Sequence, residues 1–390
     1  MEQLKWKLKT LCVFRDLLQD PVIAALLDYL ETPSAPAYAA FVSVLYEANG
    51  GDLAAHIQEL CENSSNVYVR TLGRGEEAPD HMVCALLLEL ETLQETAELT
   101  REKLCGCLEY KGFLPDFVGA KWNLKEQYLQ RTANIEKYGF GVYAKYHMFR
   151  VDEHDQIVPV LHPDRTQFSQ LVDYKRERNI ILDNTRALLD GKPAANILLT
   201  GDAGTGKSST VKAVVNELWR DGLRLIEIRK DQLRVIPKIL DELSDNPLKF
   251  VLFIDDLSFP KDDDDFGALK AVLEGSVTAK SPNMVIYATS NRRHIIKEKF
   301  SDREGDDIHR NDTMQELISL SERFGIHVSF SKPNRETYLR IVRHLAREAK
   351  INLSETELDA GAERFALERG GRTARLARQF IDGLLSMQKL

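Results

Sequence analysis

Eight residues constrain this chain more than any others. Gly201-Asp202-Ala203-Gly204-Thr205-Gly206-Lys207-Ser208 fits the pattern G-x-x-x-x-G-K-[ST] at every position. The pattern needs a strand before it and a helix after it. Ile197-Leu-Leu199 supplies the first, and Val211, Val214, Val215 and Leu218 recur at helical spacing for the second. The glycines let successive N–H groups turn inward onto phosphate oxygens, and the helix presents its positive end to the same anion. The whole loop, Gly201–Ser209, is therefore expected to cradle ATP, with Lys207 on the β- and γ-phosphates and Ser208 on Mg2+. With glycine at about 7% of residues, chance would produce the pattern in a chain of 390 residues in roughly one case in a hundred.

Further along, Val251-Leu-Phe-Ile254 is an apolar run ending in Asp255-Asp256. In a parallel sheet the C-terminal end of such a strand opens beside the phosphate loop. Asp255 is then aimed at the magnesium shell, and Asp256 can orient or activate the attacking water. Acids at a strand end are also common turn residues; pairing with the phosphate loop favours catalysis. A third apolar run, Met284–Ala288, ends in Thr289-Ser290-Asn291. An amide there can hydrogen-bond the γ-phosphate or the water, so Asn291 takes the sensor role, with Thr289 or Ser290 as substitutes and an Asx turn as the plain alternative. Arg323 follows the helical stretch Leu317, Ile318, Leu320. Its spacing alone is balanced between a surface salt bridge and a guanidinium offered to a neighbouring subunit's γ-phosphate.

From about residue 165 onward, continuous apolar strands separated by helices predict a parallel sheet covered on both faces. Helical text spans Phe168–Leu189 and Ser208–Trp219, and everything after about residue 330 reads as helix. Earlier, Leu86, Leu90, Leu93 and Ala97 share one helical face, and Pro21, Pro33–Pro36 and Gly50-Gly51 break the pattern. Near residue 140 the alternation of Phe140, Val142, Ala144, Tyr146 and Met148, followed by Ile157–Leu161, suggests a hairpin. The expected division is a mostly helical N-terminal domain over 1–162 with the hairpin near 140–161, an α/β core over 163–328 and a helical lid over 329–390.

A net charge of −8 disfavours a protein whose whole surface grips nucleic acid, although Arg292-Arg293-His294, Lys297 and Lys299 form a local basic cluster. No apolar run approaches the roughly 20 residues that span a bilayer, and Met1–Thr10 lacks an apolar signal core, so a cytoplasmic location is expected. The five cysteines follow no framework and read as reduced, mostly buried thiols. Cys105-Gly-Cys107 has no second pair at zinc spacing.

The order phosphate loop, acidic strand end, polar sensor strand, arginine, helical region resembles the AAA+ ATPases. More narrowly, residues 165–390 resemble the bacterial AAA-type ATPases defined by a domain of unknown function. The resemblance is carried by Asn184-Thr185, Gly191–Leu199, Gly201–Ser209, Asp255–Phe259, Leu273–Gly275, Tyr287–His294, Ser319–Gly325 and Ala377–Phe380. It implies a P-loop NTPase AAA+ core with a C-terminal lid, ATP and Mg2+ as ligands, and a homo-oligomer in which Arg323 is the arginine finger. It also implies that Arg375 contacts the nucleotide from its own subunit, with Arg372 and Arg378 as competitors, and that Leu171–Tyr174 lines the adenine pocket.

Two departures qualify the resemblance. Asp256 stands where most of these enzymes have glutamate, which leaves room for slow hydrolysis. Lys230–Ile236 lacks the aromatic-apolar-glycine pattern of threading unfoldases. The expected function is thus ATP hydrolysis that remodels or regulates a partner, a protein held by the N-terminal domain. An ATP-dependent switch or assembly scaffold with slow turnover, and a nucleic-acid loader, are the alternatives. The polar text Ser301–Asp307 is expected to be a surface insertion.

Overall fold

The computed structural model describes residues 1–106, 108–121, 123–257, 282–291 and 323–388, together with Leu269, Val272 and Leu273. The chain divides into two compact units, Met1–Tyr146 with Asp245–Leu248, and His147–Ser244 with Lys249–Leu390.

The described elements of the first unit are helices, and the sequence marks where several of them start. Asp20, Ser34, Asp52, Asn66, Thr100 and Asn123 each accept a backbone N–H from the first turn that follows; such a cap contributes about 1 kcal/mol. Pro21 opens Pro21–Glu31, and Gly50 closes Ala35–Asn49 in the left-handed conformation. Helix Asp80–Ala97 turns Leu86, Leu90 and Leu93 fully inward, as their spacing predicts. It also buries Glu89, whose carboxylate accepts the N–H groups of Cys12, Val13 and Phe14 at 2.8–3.1 Å. The thiols are less buried than expected: Cys61 is enclosed, but Cys12 and Cys84 are exposed. Cys107 lies outside the described residues.

Among the described residues of the second unit seven strands form one sheet: β1 (Met148–Val151), β2 (Ile157–Pro159), β3 (Ile197–Gly201), β4 (Leu223–Ile228), β5 (Lys249–Ile254), β6 (Met284–Ser290) and β7 (Ile326–Phe330). Their order is β2-β1-β4-β5-β6-β3-β7, and every neighbouring pair is parallel except β1 with β2. Helices Lys175–Leu189 and Lys207–Leu218 pack Ile181, Leu188, Val211, Val214 and Val215 onto Leu199, Val251, Phe253 and Val285. The alternate residues Leu198, Ile226, Leu252 and Ile254 are buried too, so both faces are covered. Arg335–Glu348, Glu355–Glu368 and Ala374–Gln388 form a C-terminal lid with its own apolar core around Tyr338, Val342, Leu358 and Ala362. This is the α/β P-loop NTPase fold. Among the described residues no helix is long and apolar enough to cross a membrane.

Four boundaries differ from the sequence reading. The hairpin begins later: Gly139 and Gly141 take φ of 67° and 60°, and Val142–Lys145 is a helical turn rather than extended chain. Because β1 goes on to pair with β4, the hairpin belongs to the sheet, and the units divide after Tyr146 rather than after 162. The line at 328/329 falls inside β7, which among the described residues pairs only with β3. The helical text from Phe168 is interrupted: after a 3-10 turn, Phe168–Gln170, Asp173 and Tyr174 take φ of 65° and 56° before Lys175–Leu189 starts.

Candidate functional site

β3 ends at Gly201, where crowding as well as conformation demands glycine. Its φ is +141°, and a Cβ there would stand 2.0 Å from the carbonyl oxygen of Phe330. Gly206, at φ +96°, caps helix Lys207–Leu218. The N–H groups of Gly204–Ser208 take no acceptor among the described residues and gather at the positive end of that helix. Lys207 is 5% exposed. Its Nζ donates to the carbonyls of Gly201 (2.7 Å) and Asp202 (2.9 Å) and to Asn291 Oδ1 (3.0 Å). Burial pulls this ammonium below the usual lysine range, against the opposing pull of the Asp255, Asp202 and Asp256 carboxylates.

The insertion of β6 between β5 and β3 brings the acidic and polar strand ends to this lysine. Ser208 Oγ donates to Asp255 Oδ1 at 2.7 Å, and Asn291 Nδ2 donates to Asp256 Oδ1 at 2.6 Å. Lys207, Asn291 and Asp256 thus form a continuous hydrogen-bonded chain. Asp256 has φ +56°, a conformation that costs free energy in any residue but glycine. A serine hydroxyl beside a carboxylate is a hard-oxygen pair of the kind that Mg2+ accepts together with phosphate oxygens, so these residues fit that ion.

Ala203–Ser209, Asp255, Asp256, Asn291 and Arg375 line one cleft of about 850 Å3, within the size of small-molecule sites. Asp202 is exposed beside the loop, 3.7 Å from Lys332. Leu171, Val172, Asp173 and Tyr174 line the same cleft, facing Ile341 and Leu345 of the lid. Arg178 holds that bend, donating to the carbonyls of Leu171 (2.6 Å) and Phe168 (3.2 Å). Arg340 clamps Asp173 from the lid at 3.0–3.3 Å. Ile341 and Leu345 were not legible as site residues, since their helical spacing marks them only as core. Arg178 carried no signal beyond a charge on a helix.

The lid arginines separate. The backbone N–H of Arg375 donates to the carbonyl of Gly204 at 3.3 Å, and both Arg375 and Arg378 line the cleft. Arg372 lies before the helix that starts at Ala374 and forms a bidentate pair with Glu363 (3.0 and 2.6 Å). Ser290 does not line the cleft; its hydroxyl is buried without a hydrogen-bond partner among the described residues. Arg323 does not line it either. It precedes the N-terminal end of β7, whose other end, Phe330, pairs with Gly201; at about 3.3 Å per residue the strand alone interposes about 13 Å. The basic cluster Arg292–Lys299 and the segment Ser301–Asp307 lie outside the described residues.

No curated protein matches the sequence. Solved structures similar to it include two of RuvB from Thermotoga maritima. A point mutant is 13% identical, with 58% of this chain and 67% of that one covered and a TM-score of 0.39. The Holliday junction branch migration motor is 11% identical, with 56% and 71% covered and a TM-score of 0.34. Residues 144–388, which hold the whole sheet, the cleft and the lid, match a family described as protein of unknown function (DUF815), and the chain belongs to that family.

Proposed function

We propose that this protein binds ATP and hydrolyses it with Mg2+ to remodel or regulate a macromolecular partner, working as an oligomer. The observation that carries this is the convergence of Lys207, Ser208, Asp255, Asp256 and Asn291 on one cleft. Lys207 exchanges its carbonyl partners for β- and γ-phosphate oxygens, and the N–H groups of Gly204–Ser208 take the remaining charge. Ser208 and Asp255 hold Mg2+, which when bound neutralises phosphate charge. Asp256 takes a proton from water as the water oxygen bonds to the γ-phosphorus and the bond to ADP breaks, giving ADP and inorganic phosphate. Asn291 orients the water, and Arg375 contacts the nucleotide from its own subunit. Arg323, beyond the end of β7 opposite Gly201, serves the site of another copy. The N-terminal unit is assigned the protein partner.

A slow switch is the second reading. It is favoured by the Asn291–Asp256 hydrogen bond, which occupies the carboxylate needed for turnover. Calorimetric titration with ATP, together with phosphate release, tests the main reading. Lys207→Ala should weaken ATP binding by about tenfold or more, the worth of its charge-assisted bonds. Asp256→Asn should keep affinity and lose turnover by about a hundredfold or more. An ATP affinity in Lys207→Ala within about twofold of wild type defeats the phosphate assignment.

A further inference from the structure

Thr289 lines the same cleft and is given no ligand in the scheme above, yet it makes three hydrogen bonds to three consecutive residues beyond β5. Its hydroxyl donates to Asp255 Oδ1 at 2.5 Å and accepts the N–H of Asp256 at 2.9 Å. Its carbonyl accepts the N–H of Leu257 at 2.7 Å. The hydroxyl proton and one of the two lone pairs account for the first two bonds, so the only donor of the side chain is committed to Asp255. It is also buried, 2% exposed.

These bonds begin where regular pairing stops. The β5–β6 ladder ends at Ile254 and Ala288, and Asp256 then takes its left-handed conformation. A non-glycine residue keeps such a backbone only where its surroundings impose it. Thr289 bonds the residues on both sides of Asp256 as well as Asp256 itself. Ser208 donates to the same oxygen of Asp255 that Thr289 does, so the threonine shares in setting how that carboxylate meets the phosphate loop.

We propose that Thr289 is a positioning residue: its hydroxyl sets the Asp255 carboxylate beside Ser208 for Mg2+ and fixes the Asp256 backbone so that the second carboxylate enters the cleft. The inference rests on the ATPase reading above. It separates two variants of similar size. Thr289→Ser retains the hydroxyl, whereas Thr289→Val retains the shape and loses both side-chain bonds, leaving the Asp256 N–H without its acceptor.

The test uses the full chain and compares turnover, the Mg2+ concentration for half-maximal turnover, and amide hydrogen exchange at Asp256 and Leu257 without nucleotide. Thr289→Val should lower turnover by about 10–100-fold and raise the half-maximal Mg2+ by a similar factor, the usual cost of losing a group that orients a metal ligand. Its exchange at Asp256 should quicken, and ATP affinity without Mg2+ should stay within about twofold. Thr289→Ser should recover turnover to within about threefold of wild type. If the valine variant fails to fold, Thr289→Ala takes its place. A valine or alanine variant with wild-type turnover and Mg2+ dependence overturns the inference, as does a serine variant as impaired as valine. A wild type with no turnover overturns the ATPase reading and this inference with it, so the two failures are distinguishable.

Discussion

Two regions of this molecule gather consecutive backbone N–H groups into a seat for negative charge, and they fill it from opposite sources. In the helical unit the amides of Cys12, Val13 and Phe14 close on Glu89, a carboxylate supplied by the chain itself. In the sheet unit the amides of Gly204–Ser208 take no acceptor among the described residues. The first arrangement is a staple between a turn near the N-terminus and a helix more than seventy residues on, built from bonds that contribute about 1.5–3 kcal/mol each when one partner is charged. The second, on the function proposed above, keeps such bonds for the phosphates of a nucleotide. The same backbone chemistry yields stability in one place and binding in the other, according to where the counter-charge is encoded.

The largest expected effect tests how far the open site depends on what lies outside the chain. Arg323→Ala should spare ATP binding and lower turnover about a thousandfold, and wild-type turnover per molecule should rise with protein concentration. Concentration-independent turnover in a strict monomer breaks that part of the comparison. Next, Glu89→Gln turns an all-acceptor carboxylate into an amide whose NH2 meets donors. It should cost about 2 kcal/mol in urea unfolding while leaving ATP affinity within about twofold. A variant as stable as wild type removes the staple.

The smallest effect concerns Asp20, which caps Pro21–Glu31 and lies 3.0 Å from His56 Nε2. Burial pushes its carboxyl up, but hydrogen bonds from His56 and from the amides of Ile23 and Val22 outweigh this and hold it below the usual carboxylate range. A carboxylate depressed in the folded state adds stability above its unfolded pKa and loses it as pH falls through the folded value. The unfolding midpoint should therefore drop below about pH 4. Asp20→Asn keeps a capping side chain without the charge and should flatten that drop, at a cost of under about 1 kcal/mol near neutrality. An unchanged acid profile in thermal melts assigns the drop to other carboxylates.

The phosphate loop and the strands beside it were legible because buried parallel strands read as unbroken apolar runs ending in the site's own residues. β7 was not, since Ile326-His-Val-Ser-Phe330 is half exposed and its alternation is too short to stand out. The early part of the expected hairpin failed because Gly139 and Gly141 turn the chain before alternation can become a strand. Arg372, Arg375 and Arg378 looked equivalent under helical spacing, an argument that lapses for a residue ahead of the helix. The bonds of Thr289 to Asp255, Asp256 and Leu257 depend on β6 lying beside β5, which no local pattern records.

Strand order also sets a timetable. Among the described residues β3 pairs with β6 and β7, both made later, so its apolar residues Ile197, Leu198 and Leu199 wait for these sheet partners until the chain has grown well past them. At about 5–20 residues per second, the interval from Gly201 to Phe330 is on the order of ten seconds of synthesis. During it the motif exists without the pocket. A growing chain of this kind emerges with its phosphate loop unfinished and an apolar strand uncovered, which makes those seconds a period when it needs shelter.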